Sequence, residues 1–287
     1  MYSGCISLVK QHALRLSSVA IACLLAQDFG RPIQTPSKQD NQVNSIATVT
    51  AGIPKEQLAE LEKLMDSASK AFSKRKYEQA ISRYKKALDF MKRLDPKDQI
   101  LVPIDNALEG VGVCHARLRS FDKAEIAFKA LLDFRKENLP FDSSVALAYE
   151  YVAFAKEAQA DVPGAEEHLL MGIAYLKECI KHFGGSDTYD PDAIVANLDR
   201  KHMVRLLWEL AAAQVTEGKS DEAFTSCEEA FQIGEKFKTG HGSLREVIES
   251  ALQIAAFSGR NERARVWIER EKKLQAKGAE SNLEGVK

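Results

Sequence analysis

The feature that most constrains this chain is a pattern that returns. Five alanines, Ala80, Ala124, Ala165, Ala223 and Ala264, stand in similar surroundings: "KYEQAISRYKKAL", "SFDKAEIAFKALL", "VPGAEEHLLMGI", "KSDEAFTSCEEAF" and "RNERARVWIEREK". They lie 44, 41, 58 and 41 residues apart, a period near 42 with one insertion of roughly 16. In the first block Tyr77, Ala80, Tyr84 and Ala87 follow one another at intervals of three or four, so on a helix they form one stripe of alternating bulk and smallness. One helix cannot bury that stripe alone. A stack of similar helical pairs can, and periods of roughly twenty to fifty residues mark such arrays.

With these residues in view, the body resembles the tetratricopeptide repeat in a lengthened form. Twelve residues before each anchor that family places a small residue, and here stand Ala68, Gly112, Ala153, Ala211 and, as a departure, Leu252. Five before, it often has glycine, met by Gly218 and Gly259 but replaced in the first three units by Arg75, Arg119 and Ala160. Four after comes a bulky apolar residue, supplied by Tyr84, Phe128, Leu169, Cys227 and Ile268. Seven after comes a small one, supplied by Ala87 and Ala230 and replaced by Leu131, Gly172 and Glu271. The resemblance covers residues 52–277 and implies an all-α, right-handed solenoid of about five helical hairpins with a concave and a convex face. Packing supplies the reason: a small residue on the first helix lets the second approach, and the anchor and the bulky residue beyond it form hole and knob against a neighbour. Asp142 or Ser143 is expected to cap one helix, Pro163 to open another, and the helix containing Leu169 to run on to Phe183.

The insertion at 184–199, "GGSDTYDPDAIVANLD", reads as an acidic connecting loop; its aspartates lack the glycine and final glutamate of a calcium-binding loop. The end, residues 278–287, reads as a polar tail. Residues 1–51 differ from the rest. The first 27 contain Lys10, Arg15 and several serines but no acid, and the apolar run "LSSVAIACLLA" is too short for an ordinary membrane span. This start resembles a targeting presequence followed by an unstructured linker. It implies an organelle, the mitochondrion first, with plastid, cytoplasm and secretory pathway as alternatives.

Forty basic residues against 41 acidic ones give a formal charge of −1, so no net field draws the chain to nucleic acid, although a local patch is compatible with that balance. Cys114, Cys179 and Cys227 are scattered through the body and read as reduced core thiols rather than a disulfide framework. No two of the six histidines make a metal-binding pair, Cys179 and His182 form a C-x-x-H with no second half, and neither a nucleophile motif nor a phosphate loop is present. The sequence therefore gives no reason to expect an enzyme or a cofactor.

The family resemblance implies that first helices line the groove, at positions eighteen, fifteen, eleven and eight before each anchor. The side chains expected to bind there are Phe72, Glu109, Glu150, Phe154, Arg205, Trp208, Glu249 and Gln253. Met65, Ser69, Gly110, Leu147 and Tyr151 occupy the places where chaperone-binding members hold a cationic clamp, so an acidic chaperone tail is not the expected ligand. The expected partner is a basic or apolar protein segment, bound by an adaptor or assembly factor. The alternative is a permanent structural subunit of a large organellar complex.

Overall fold

The small and bulky positions of the repeat do form helices. The computed structural model describes residues 53–94, 103–183 and 194–284, and among these ten α-helices and no strand occur. They fall into two compact units divided after Pro140. The first holds α1 (Lys55–Ser73), α2 (Tyr77–Met91), α3 (Ile104–Arg117) and α4 (Phe121–Asn138), each packed on the next. The second holds α5 (Ser144–Ala158), α6 (Val162–His182), α7 (Ile194–Thr216), α8 (Ser220–Lys236), α9 (His241–Ser258) and α10 (Asn261–Glu284). Here too each helix packs on its successor, and α7 also touches α9. The expected all-α array of helical hairpins is what the chain forms.

Each hairpin turns in the same way. The residue five before the anchor has positive φ in all five: Arg75 (57°), Arg119 (56°), Ala160 (64°), Gly218 (81°) and Gly259 (68°). The next residue's N–H reaches back five positions to a carbonyl, as Lys76 to Ala71, Ser120 to His115, Asp161 to Lys156, Lys219 to Gln214 and Arg260 to Ala255, at 2.8–2.9 Å. This left-handed cap meets carbonyls that a helix end would otherwise leave unpaired. The non-glycine residues at three of these turns are therefore not breaks in the repeat.

The packing positions behave as their sizes require. Ala68, Ala80, Tyr84, Ala87, Ala124, Phe128, Ala211, Ala223, Cys227 and Ala230 are fully enclosed. A methyl group added at Gly112 would overlap the edge of the Phe128 ring, and one at Gly110 would lie 2.6 Å from Tyr84 Cε2, so two adjacent second helices approach α3 through its two glycines. Asp161 caps α6 by accepting from Gly164 N–H at 3.1 Å, with Pro163 in the first turn, and α6 runs to His182. Asp142 accepts from Ser144 N–H at 2.7 Å ahead of α5. Cys114, Cys179 and Cys227 are free and buried, and burial pushes their thiols up to about 12, 11 and 12 respectively.

Three sequence expectations are corrected. Ile194–Asp199 are not loop but the first turns of α7, where Ala196, Asp199, Arg200 and Met203 form a buried stripe. Asp187, Asp190 and Asp192 made the whole insertion read as an acidic connection; residues 184–193 lie outside the described residues. The tail expected from 278 is helical to Glu284, because apart from Gly278 it is rich in good helix formers. In the fifth hairpin Ile268 is 40% exposed and Trp267, one position earlier, is buried edge-to-face on Phe231 at 5.6 Å. The targeting segment at 1–51 lies outside the described residues, and among those described no helix is long and apolar enough to cross a membrane.

Two substitutions test this packing by chemical denaturation. Gly112→Ala gains helix propensity but must displace an enclosed ring, for a net loss of about 1–2 kcal/mol. Ala160→Gly relieves an exposed left-handed alanine and is expected to stabilise by about 0.5–1 kcal/mol.

Candidate functional site

The candidate site is the row of first-helix side chains, taken unit by unit. In the first unit Glu62 is exposed on α1 and Met65, Ser69 and Phe72 are half-buried. The Ser69 hydroxyl lies 3.4 Å from Tyr84 OH, whose pKa burial pushes up to about 12, and Phe72 meets the Tyr77 ring edge-on at 5.6 Å. On α3, Glu109 accepts a charge-assisted bond from Arg135 of α4 at 2.7 Å, and Asp105 lies 3.4 Å from the same nitrogen. Arg135 is itself buried, so this guanidinium is held inside the hairpin by two partly buried carboxylates.

In the second unit the row divides into a buried half and an open half. Glu150 of α5 is 1% exposed and accepts from Arg205 at 2.6 Å and from His202 at 2.9 Å, both on α7. Burial by itself would raise this carboxyl, but the Arg205 charge and the His202 and Arg205 hydrogen bonds outweigh it and hold the group below the usual range. Its Oε1 is buried without a hydrogen-bond partner. Phe154, one turn on, is 2% exposed and part of the core. Trp208 is half-buried one turn beyond Arg205, and its indole N–H is enclosed without an acceptor. On α9, Glu249 and Gln253 stand exposed in line with Ala256.

The sequence-selected residues thus separate into two groups. Glu109, Glu150 and Arg205 are engaged in ion pairs within their own units and Phe154 is enclosed, while Phe72, Trp208, Glu249 and Gln253 retain surface. Sequence reasoning missed Arg135 and His202. His202 had a signal, since it lies three residues before Arg205 on the same helical face. Arg135 had none, because it comes from a second helix.

Glu157, on the last turn of α5, is half-buried, and burial pushes its carboxyl up to about 7. The second helices of this unit also border two open clefts. One, of about 410 Å³, has Leu170, Ile173, Leu207 and Leu210 among its lining; the other, of about 440 Å³, has Phe224, Val266 and Trp267. Among the described residues no group of three or more metal-ligating side chains occurs, and His182 stacks flat on Phe141 at 3.9 Å.

Neither a protein-family model nor a curated protein sequence matches the chain. Solved structures do. BtubC (BKLC) from P. vanneervenii superposes with a TM-score of 0.60 at 16% identity, over 84% of this chain and 89% of that one. The TPR-like repeats of a Podosopora anserina protein assigned as a kinesin light chain superpose with a TM-score of 0.53 at 15% identity, over 76% of this chain and 96% of that one. The fold is tetratricopeptide-like. At these identities the likeness establishes architecture, and function has to come from the side chains.

Two titrations follow from the site. Glu157 is raised in the folded state, so its carboxyl favours folding below the unfolded pKa, and the contribution is lost as pH rises through about 7. Glu157→Gln is therefore expected to stabilise the protein by on the order of 2 kcal/mol at pH 8 and to be near neutral at pH 4, read from paired denaturant melts. Glu150 has the opposite sign: its contribution is present above the unfolded carboxylate pKa and falls away as pH drops through the lowered folded value. Arg205→Met, which strands that buried carboxylate, is expected to cost about 3–5 kcal/mol at neutral pH.

Proposed function

We propose that this protein is a non-enzymatic protein-interaction scaffold, an adaptor or assembly factor that holds an apolar or basic segment against its first helices. Helical arrays of this fold are generally protein-interaction scaffolds. The observation that carries the reading is the part of the first-helix row left over after packing. Within the second unit Trp208 offers apolar surface and Glu249 and Gln253 offer a carboxylate and an amide at helical spacing on α9; within the first, Phe72 offers part of its ring. An aromatic anchor flanked by exposed polar groups is the usual composition of a binding hot spot. Because Glu109 and Glu150 already answer internal cations, preference for a basic segment rests on Glu249 and the apolar contribution weighs more. The acid-free start of the chain supports residence in an organelle, with the mitochondrion as the proposed compartment.

A second reading, a permanent subunit of a larger complex, is favoured by a different observation. In the second unit Phe141, Phe183, Ile194, Val195 and Leu198 are 40–66% exposed. Asp199 bears electrostatically on both Asp142 and Cys179, which brings the start of α7 close to the other two segments. Exposed apolar side chains gathered in this way mark obligate interfaces more often than transient ones.

The test is affinity purification of the tagged chain from its native cells, with partner identification and the mature N-terminus read from the same digest. Trp208→Ala with Glu249→Lys is expected to reduce partner capture at least tenfold when capture is compared at a temperature where the variant's melting curve shows it folded. Unchanged capture by this variant rejects the groove. Loss of capture on Ile194→Ser with Leu198→Ser instead selects the permanent-subunit reading.

A further inference from the structure

The near-neutral total hides a division of charge. The described residues of the first unit carry 17 Lys and Arg against 12 Asp and Glu, and those of the second carry 17 against 22. The first unit's excess is concentrated: residues 70–93 contain nine basic residues, Lys70, Lys74, Arg75, Lys76, Arg83, Lys85, Lys86, Lys92 and Arg93, against Glu78 and Asp89.

The fold spreads these cations over one surface. Lys74, Arg75 and Lys76 form the α1–α2 turn and are exposed, as are Lys85 and Lys86 on the outer face of α2. Lys123, exposed on the first turn of α4, joins them at the end of α3. There His115 is held below its usual pKa first by burial and then by Lys85 and Lys123, which approach it from two helices; Asp122 acts in the other direction. None of these six cations makes a side-chain hydrogen bond or ion pair with a carboxylate of the described residues. By contrast, Lys156, Lys177, Lys219, Arg205, Arg260, Arg263, Arg270 and Lys272 of the second unit all have carboxylate partners.

We infer that this lysine-rich surface, formed by the α1–α2 turn, the outer face of α2 and the start of α4, docks an acidic segment of a partner protein. The chemistry of the surface selects that occupant. Five of the six cations are lysines, point charges without the planar fork that reads phosphate bidentately. Among the described residues of the first unit no aromatic ring is more than partly exposed, and Phe72 and Tyr77, the rings beside the α1–α2 turn, pack edge-on against each other at 5.6 Å, so the open stacking faces of single-stranded nucleic-acid binding are not offered. Among the described residues of this unit Ile126 is the one large apolar side chain that stands well exposed, and a single aliphatic side chain is far less than the apolar helix face that binding at a lipid interface buries. What remains is a dense, adaptable field of ammonium groups, suited to an Asp/Glu-rich run that needs no fixed backbone shape. The variants that test it lie in the first unit, whereas those that test the groove, at Trp208 and Glu249, lie in the second, so failure of one reading is distinguishable from failure of the other.

The experiment uses the full chain and three labelled probes: an Asp/Glu-rich peptide of about 16 residues, a single-stranded RNA of matched charge, and vesicles of phosphatidylcholine containing phosphatidylserine. The peptide is expected to bind most tightly, with affinity falling steeply as salt rises. K74Q/K76Q/K85Q/K86Q is expected to weaken it at least tenfold, while K272Q/K273Q in the second unit leaves it unchanged. The four sites are exposed, and K85Q/K86Q alone, with an expected loss of about threefold, serves should the quadruple variant melt early. Tighter binding of RNA or vesicles than of the peptide, equal binding by wild type and the lysine variants, or no peptide binding at low salt each overturns the inference.

Discussion

The architecture depends on turning the chain sharply between two close-packed helices, five times over. A single left-handed residue does this, because it redirects the backbone within one position and presents the next N–H to a carbonyl one turn back. Glycine takes that conformation at Gly218 and Gly259 without a steric penalty, whereas Arg75, Arg119 and Ala160 take it against their own Cβ atoms. The strain persists because what it enables is larger: the enclosed contacts of Ala68, Ala80, Tyr84 and Phe128, which form only when the second helix folds back at that point. The conformation is imposed by the packing on either side.

The same logic explains the buried polar groups. A carboxylate at 1% exposure is tolerable at position 150 only because a guanidinium and an imidazole from α7 reach it. Such a cluster adds little net stability, but it does fix which residues of α7 face α5, since a slip of one residue would strand the charge. Arg135 between Asp105 and Glu109 ties α3 to α4 in the same fashion. Apolar packing alone tolerates sliding better than these hydrogen-bonded pairs do.

Much of the fold was legible because it is written in sizes. Alanine, glycine and one large residue at fixed intervals have few other uses, so the repeat, the hairpins and even the extended α6 could be read from spacing. The candidate site was less legible because charge is read from sequence without its partner. Glu109 and Glu150 look alike as surface acids until Arg135 and Arg205 are placed beside them, and Phe154 looks like an anchor until it is enclosed. The first turns of α7 were missed because Asp187, Asp190 and Asp192 made the whole insertion read as acidic, whereas Asp199 and Arg200 are buried, with Arg200 stacked on the Phe237 ring at 3.8 Å. Ile268 yielded its expected place to Trp267 because one position along a helix turns a side chain by about 100°.

The division of charge between the two units also bears on how such a scaffold is selected. Lys74, Arg75 and Lys76 in one turn, with Lys85 and Lys86 side by side on the adjoining helix, repel one another in the free protein. Nothing in the hairpin's packing requires them: the buried stripe of α2 is complete with Ala80, Ile81, Tyr84, Ala87, Leu88 and Met91. The second unit, built from the same repeat, pairs at least eight of its 17 described cations with carboxylates, several of them on a neighbouring helix, so the fold permits such pairing. A local charge pattern that works against stability without serving the core points to a use outside the fold. A negatively charged segment docked there would relieve this repulsion, as salt also does, so the lysines would favour the occupied state over the free one.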